Sequence, residues 1–237
     1  MPLVPQQKQS FSELGFEALK LIAFAAMFVD HAVKILFPMQ ALPAHVIGRL
    51  ALPLFAFVVV VRIAHAPDRA SRYLPRLILW GGLAQAALFL MGELTLNIMF
   101  TFASGIALQL IWDRARSRQV LPLAAASFAT GLLLACCFFV DYGIVGALLI
   151  PLGVRAYRSY GSAAAALFIT TLCFVTQLPG TSDFVLLSFL GCFSAIPLML
   201  CSQDRMLWMS AITLPRYSFY LLYAAQFWCL LALIQLF

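Results

Sequence analysis

The sequence predicts an all-α, polytopic transmembrane bundle of about nine helices, and three observations carry that expectation. Hydrophobic residues fill 64% of the 237 positions and charged ones only 10%, which leaves no room for a soluble domain of useful size. Apolar stretches recur with the length a helix needs, about 20 residues, to cross a hydrocarbon layer about 30 Å thick. All fifteen Lys and Arg except Lys34 and Arg49 fall in every second gap between those stretches. Cytoplasmic loops collect Lys and Arg, so the alternation fixes an orientation as well as a class.

The first stretch, 18–37, follows Lys8 and Lys20, and the gap after it, 38–45, holds no Lys or Arg. The second, 46–64, leads into a gap carrying Arg62, Arg69, Arg72 and Arg76. The third, 77–92, contains Gly81, Gly82 and Ala84, small residues that suit close helix approach in lipid, and ends at an acidic gap with Glu93. The fourth, 96–112, runs to Arg114, Arg116 and Arg118. The fifth and sixth, 120–140 and 143–157, are separated only by Asp141-Tyr142-Gly143, read either as a tight hairpin or as a broken helix. Arg155 and Arg158 close the sixth; the seventh, 162–179, carries the alanine run 163–166. The eighth, 184–201, follows Asp183, and the ninth, 217–236, follows Arg205 and Arg216. Pro53, Pro151 and Pro197 fall inside apolar stretches, where neighbouring helices can satisfy the freed carbonyls. Nine crossings put the N-terminus in the cytoplasm and the C-terminus outside, with residues 1–17 as a short cytoplasmic segment and 18–237 as one transmembrane domain.

Several function classes drop out. The net charge of +6 is spread over separate cytoplasmic edges rather than one stripe, so nucleic acid is not an expected partner. The first apolar stretch exceeds a signal-peptide core and carries Asp30, His31 and Lys34, which argues against cleavage. The six cysteines lie within or at the ends of apolar stretches without a Cys-x-x-Cys pair, and no metal site is assigned.

Ionisable residues inside a membrane helix cost at least about 2.5–3.5 kcal/mol on insertion scales, so each needs a partner or a purpose. Asp30 and His31 lie past the middle of the first helix, and Lys34 is one turn beyond Asp30, at ion-pair spacing. Arg49 enters the second helix from the same exoplasmic side, at a depth where it can pair with Asp30. Asn97 and Thr101 enter the fourth helix there, Asp141 and Tyr142 lie at that face, and Gln226 is near mid-depth in the last helix. Adjacent helical residues point about 100° apart, so Asp30 and His31 serve different neighbours. His31 suits the role of base, Asp30 that of orienting Arg49 or a substrate amine, and Arg49 that of stabilising an oxyanion or holding a phosphate. His45 and His65, at helix edges, read as interfacial.

Met27-Phe28-Val29-Asp30-His31 followed by Gly48-Arg49-Leu50-Ala51-Leu52-Pro53-Leu54-Phe55-Ala56-Phe57 resembles the opening signature of the TraX family, inner-membrane proteins linked to conjugative pili. Asn97-Ile98-Met99-Phe100-Thr101 and Asp141-Tyr142-Gly143-Ile144-Val145-Gly146 resemble its next two blocks, in the same order. Where the family commonly shows Tyr-x-x-His, this chain has Tyr223-Ala224-Ala225-Gln226. The resemblance implies acetyl transfer from acetyl-CoA to pilin in the bacterial inner membrane.

The residues and the resemblance together give a membrane-embedded group transferase acting on pilin or another membrane-inserted peptide. Its expected catalytic set is His31, Asp30 and Arg49. Lys34, Asn97, Thr101, Asp141, Tyr142, Tyr223 and Gln226 are the expected substrate contacts. The donor is acetyl-CoA or another acyl donor. A membrane phospholipid, as in phosphoglycerol transfer, is the alternative, and a non-catalytic assembly factor is a third reading. A transporter is disfavoured by the lack of a repeat and by the one-sided polar cluster.

Overall fold

The computed structural model describes residues 13–37, 41–117, 123–178, 182–202, 215 and 217–236. Lys8, Arg118, Arg205 and Arg216 of the expected basic gaps, and residues 1–12 of the expected cytoplasmic segment, lie outside them.

Ten α-helices follow one another: α1 (Glu13–Leu36), α2 (Ala41–Gly48), α3 (Ala51–His65), α4 (Ala70–Leu90), α5 (Ile98–Ser117), α6 (Leu123–Cys136), α7 (Gly143–Val175), α8 (Ser182–Phe193), α9 (Ala195–Cys201) and α10 (Ser218–Ile234). Short 3-10 turns occupy Pro67–Arg69 and Cys137–Phe139, and the described residues add one isolated parallel bridge, Leu96 to Val140.

Helix α1 shows why these segments pack. Phe16, Leu19, Ala23, Ala26 and Asp30 are buried at alternating three- and four-residue steps, one stripe of a helix, while Phe28 and Val29 face outward. Helix α3 is buried almost all round, from Ala51 to Ile63, because it runs through the centre between α1 and α7. Pro53 falls in its first turn, where the missing N–H would have been unpaired anyway. Helix α10 packs on α4 and α1, and the indole N–H of Trp228 donates to the carbonyl of Leu83 at 3.1 Å.

Four helical stretches are long and apolar enough to cross a membrane by themselves: Ala44–His65, Pro67–Leu90, Gly143–Val175 and Asp183–Cys201. Ala124–Phe139 and Ser218–Ile234 are apolar but shorter. The expected count of nine full crossings is therefore not matched helix for helix. Helix α1 is long enough but carries Glu17, Lys20, Asp30 and Lys34, and α5 is diluted by Thr101, Ser104, Gln109 and its charged last turn. The 33-residue α7 is broken at Gly161, whose φ of 84° no L side chain adopts comfortably, so its two pieces correspond to the expected sixth and seventh stretches. What results is a helical membrane bundle with Lys20, Arg62 and Arg69 at one end and the Asp141 turn at the other.

Candidate active site

The site starts with an unusually close approach of backbones. A Cβ placed on Gly48 would fall 2.4 Å from Cβ and Cγ of Asp30, so only glycine lets α2 lie this near α1. On the far side of α2, a Cβ on Gly191 of α8 would meet the carbonyl oxygen of Val46 at 2.4 Å and Cβ of Arg49 at 2.7 Å. Two glycines thus clamp α2 between α1 and α8, with Asp30 and Arg49 at the two contact points.

Asp30 accepts from Lys34 Nζ at 2.6 Å, the pair expected from their spacing. Arg49 does not reach Asp30 directly; His45, one turn before Arg49, stands between them. The Arg49 Nε–H donates to His45 Nε2 at 2.9 Å, and a second guanidinium nitrogen also touches that ring nitrogen. Since Nε2 accepts, a neutral His45 carries its proton on Nδ1, which faces Asp30 Oδ1 at 3.4 Å. That contact falls short of a hydrogen bond, so the buried Oδ1 faces His45 without a hydrogen bond of its own. His45 is buried, packs its ring 4.4 Å from that of Phe184, and lies in the apolar stretch Ala44–His65. The expectation of a direct Asp30–Arg49 pair is corrected by this arrangement, and His45, read from the sequence as interfacial, is a buried member of the cluster at the start of the stretch Ala44–His65.

Arg49 has two further neighbours. Its guanidinium lies 5.2 Å from the centre of the Phe184 ring, a cation–π contact, and one nitrogen is 3.4 Å from the Tyr142 hydroxyl. Tyr142 holds a left-handed backbone, φ 62° and ψ 2°, which costs a bulky residue roughly 1–3 kcal/mol. The surroundings enforce it. Leu96 N–H donates to Phe139 O at 2.9 Å, Asp141 N–H to Leu96 O at 2.7 Å, and the Thr101 hydroxyl to Asp141 O at 2.5 Å. A Cβ on Gly146 would strike Thr101 and Tyr142 at 2.7 Å, so the turn fits only with glycine there.

The remaining expected contacts separate into two groups. Asn97 and Thr101 are committed to the scaffold. Asn97 donates to Gly81 O at 2.8 Å and to Gln85 Oε1 at 2.9 Å, and its Oδ1 accepts from Met99 N–H at 3.0 Å at the start of α5. His31 and Gln226 are the opposite case. His31 Nδ1 and both amide atoms of Gln226 are buried without a protein partner among the described residues. The His31 ring lies 4.9 Å from that of Phe227, which stacks edge-on against Tyr223 at 5.4 Å. Unpaired buried groups of this kind are expensive and mark places where something else, water or substrate, completes the bonding.

The profile of the TraX protein family matches residues 15–234, which takes in all the elements that build this cluster. The chain belongs to the TraX family. The protein TraX of Escherichia coli is 29% identical over 151 residues, 60% of this chain and 56% of that protein, so the alignment spans little more than half of the relative's length. No solved structure matches the chain. Within this TraX-family chain, the two blocks of the opening signature meet at Asp30 and Gly48-Arg49, and the last of the four blocks supplies Tyr142. Two residues escaped the sequence reading. His45 and Arg49 are spaced i,i+4, which is the signal that could have exposed their contact, whereas Gly191 gave no sign.

Proposed function

We propose that this TraX-family chain is a membrane-embedded group transferase that modifies conjugative pilin, or a similar exported peptide, by acyl transfer. In this reading it lies in the bacterial inner membrane with a cytoplasmic N-terminus and periplasmic C-terminus, and the Asp30–His45–Arg49 cluster occupies the periplasmic half. One observation carries the proposal. An arginine bonded to His45, whose other ring nitrogen faces Asp30, and a buried His31 Nδ1 without a hydrogen-bond partner among the described residues occur together in a chain matched by the TraX family over 15–234.

Each residue then has one task. His31, whose Nδ1 has no hydrogen-bond partner among the described residues, takes the proton that the acceptor amine loses as its nitrogen bonds to the acyl carbon. Asp30 orients Arg49 through His45, whose Nδ1 faces its Oδ1. Arg49, held by His45, Phe184 and Tyr142, offers its remaining N–H groups to the oxygen on which charge develops. The donor, acetyl-CoA or another acyl donor, supplies an activated carbonyl. When the bond from that carbon to the leaving atom breaks, the proton on His31 returns to the departing thiolate or alkoxide, so the balance closes. Lys34, Asp141, Tyr142, Tyr223 and Gln226 line the approach of the peptide, while Asn97 and Thr101 support it from behind.

Intact-mass spectrometry of mature pilin, made with and without this protein, is the test. A gain of one acyl group supports the proposal. A larger, phosphorus-containing gain replaces it with phosphoglycerol transfer from a membrane lipid, Arg49 holding the phosphate. No change in mass reduces the chain to an assembly factor.

A further inference from the structure

Helices α5 and α7 both leave from the neighbourhood of the Asp141 turn. Ile98 comes two residues after the Leu96–Val140 bridge and Gly143 directly follows Tyr142, so the two helices run side by side in one direction. They touch where Gly105 faces Ala147: a Cβ on Gly105 would lie 2.7 Å from the Ala147 carbonyl oxygen and 2.9 Å from Ile150 Cγ1. Pro151 has no N–H to offer that carbonyl, and a glycine on α5 is what lets the neighbouring backbone approach it. One turn further along both helices, a cavity of about 400 Å³ opens between them.

The two walls of this cavity match. On α5 the lining residues are Gln109, Trp112, Asp113 and Arg116, one stripe at three- and four-residue steps. On α7 they are Pro151, Val154, Arg155 and Arg158, at the same steps. Counted from the Gly105–Ala147 contact, Trp112 is level with Val154, Asp113 with Arg155, and Arg116 with Arg158. Gln109, Pro151 and Val154 are buried, whereas Arg116, Arg155 and Arg158 are exposed at the mouth.

Three guanidinium groups thus converge on a cleft lined by a single acid. Asp113 lies 4.0 Å from Arg158, the outer limit of an ion pair, and one carboxylate cannot neutralise three cations. Arg116 and Arg155 pair with no acid among the described residues. Like charges held level on neighbouring helices repel, and an anion between them turns that repulsion into attraction. Half-buried Trp112 and Tyr160, which is 81% exposed just beyond Arg158, add two aromatic rings at this end, the pattern of a headgroup boundary.

We propose that the cleft between α5 and α7 binds the phosphate of an anionic membrane lipid. Arginine forks match phosphate oxygens, and basic pockets between helices on the cytoplasmic side hold such headgroups. The arginine distribution assigns this end of the bundle to that side. The phosphate lies among Arg116, Arg155 and Arg158, the glycerol lies against the Trp112 indole, and Asp113 steadies Arg158. A free phosphate ion would satisfy the same guanidinium groups, but a cleft walled by two membrane helices is reached by a lipid through lateral diffusion alone. The site shares no residue with the Asp30–His45–Arg49 cluster and is independent of the transferase reading.

Native mass spectrometry of the purified full chain, released from detergent micelles and titrated with single lipids, reads the site. One phosphatidylglycerol should be retained saturably, with a preference of at least about tenfold over phosphatidylcholine. Arg155→Gln/Arg158→Gln should weaken that retention at least about tenfold. Arg69→Gln/Arg72→Gln, which removes two exposed arginines outside this cleft, should leave it unchanged. Ser159→Glu, at an exposed position on the α7 wall, adds a carboxylate without removing a contact and should also weaken retention. That variant carries the test if the double arginine variant gives no folded protein. No saturable phosphatidylglycerol, equal loss in the two arginine pairs, or full retention by Ser159→Glu overturns the proposal. Saturable binding of inorganic phosphate with no preference between the lipids also overturns it and makes the cleft a site for soluble phosphates.

Discussion

Asp30→Asn is the most informative single change. Asp30 is the carboxylate that pairs with Lys34 and faces His45, and its side chain is only 12% exposed. Replacing it with an amide keeps the volume beneath Gly48 but removes a negative charge, leaving the guanidinium of Arg49 with a neutral imidazole, a ring face, a phenol and the more distant carboxylate of Asp141. Breaking a buried pair by removing one partner costs about 3–5 kcal/mol. Lys34 is 39% exposed and can hydrate once released, so the lower end of that range applies, about 3 kcal/mol. For a chain of this size that corresponds to a fall of roughly 6–12 °C in melting temperature. Thermal unfolding in detergent, followed by the fluorescence of a monodisperse size-exclusion peak, measures it. A double-mutant cycle with Arg49→Gln should return a coupling well above zero, since the two charges communicate through His45. An unchanged melting temperature for Asp30→Asn refutes the argument. In that case the cluster is water-filled, and Asp30 serves chemistry without holding the helices.

Three further outcomes follow from the geometry. His31→Ala should fold normally yet lose about 10²–10⁴-fold in pilin modification, the range for removing a positioned base, while Gln226→Ala should lose far less; substantial modification by His31→Ala at normal expression sinks the base assignment. Gly191→Ala should lower the melting temperature and the folded yield, because its new methyl meets Val46 O and Arg49 Cβ with a packing cost of about 1–3 kcal/mol, whereas Gly82→Ala, with open space around it, should be neutral or better; equal behaviour of the two rejects the clamp on α2. A reporter fused at the C-terminus should be active only in the periplasm, and cytoplasmic activity would show that the crossings are even in number.

Much of this helical architecture is visible in the residues because apolar stretches of helix length recur along the chain. The break near 158–161 and the polar turn at 141–143 announce themselves through Gly161 and Asp141-Tyr142-Gly143. The structure does bring Arg49 to Tyr142 and, through His45, to Asp30. Lateral contact was harder to read. His45 sits at the margin of an eight-residue helix, so the apolar pattern dismissed it as interfacial, although its spacing to Arg49 is a helical neighbour's. Gly48 and Gly191 act by what they lack, and that shows only once the opposing backbone is in place. The same holds for Asn97, which looks like a ligand contact until Gly81, Gln85 and Met99 are seen to use up its bonds.

Arg49 and Tyr142 are 93 residues apart in the chain, and that separation has a consequence for how the protein is made. At a synthesis rate of about 5–20 residues per second, roughly 5–20 s pass between the emergence of the arginine and that of the tyrosine. During that interval the arginine is already part of the chain, while helices α4 to α6 have yet to be made. The partners it holds in the meantime are the early ones: His45 four residues upstream and, through it, Asp30 on the helix just inserted. The imidazole is then an escort for the nascent arginine before it is part of any finished site. A ribosome-stalled chain ending after α3 should on this view remain membrane-integrated, and its His45→Ala counterpart should slip back out.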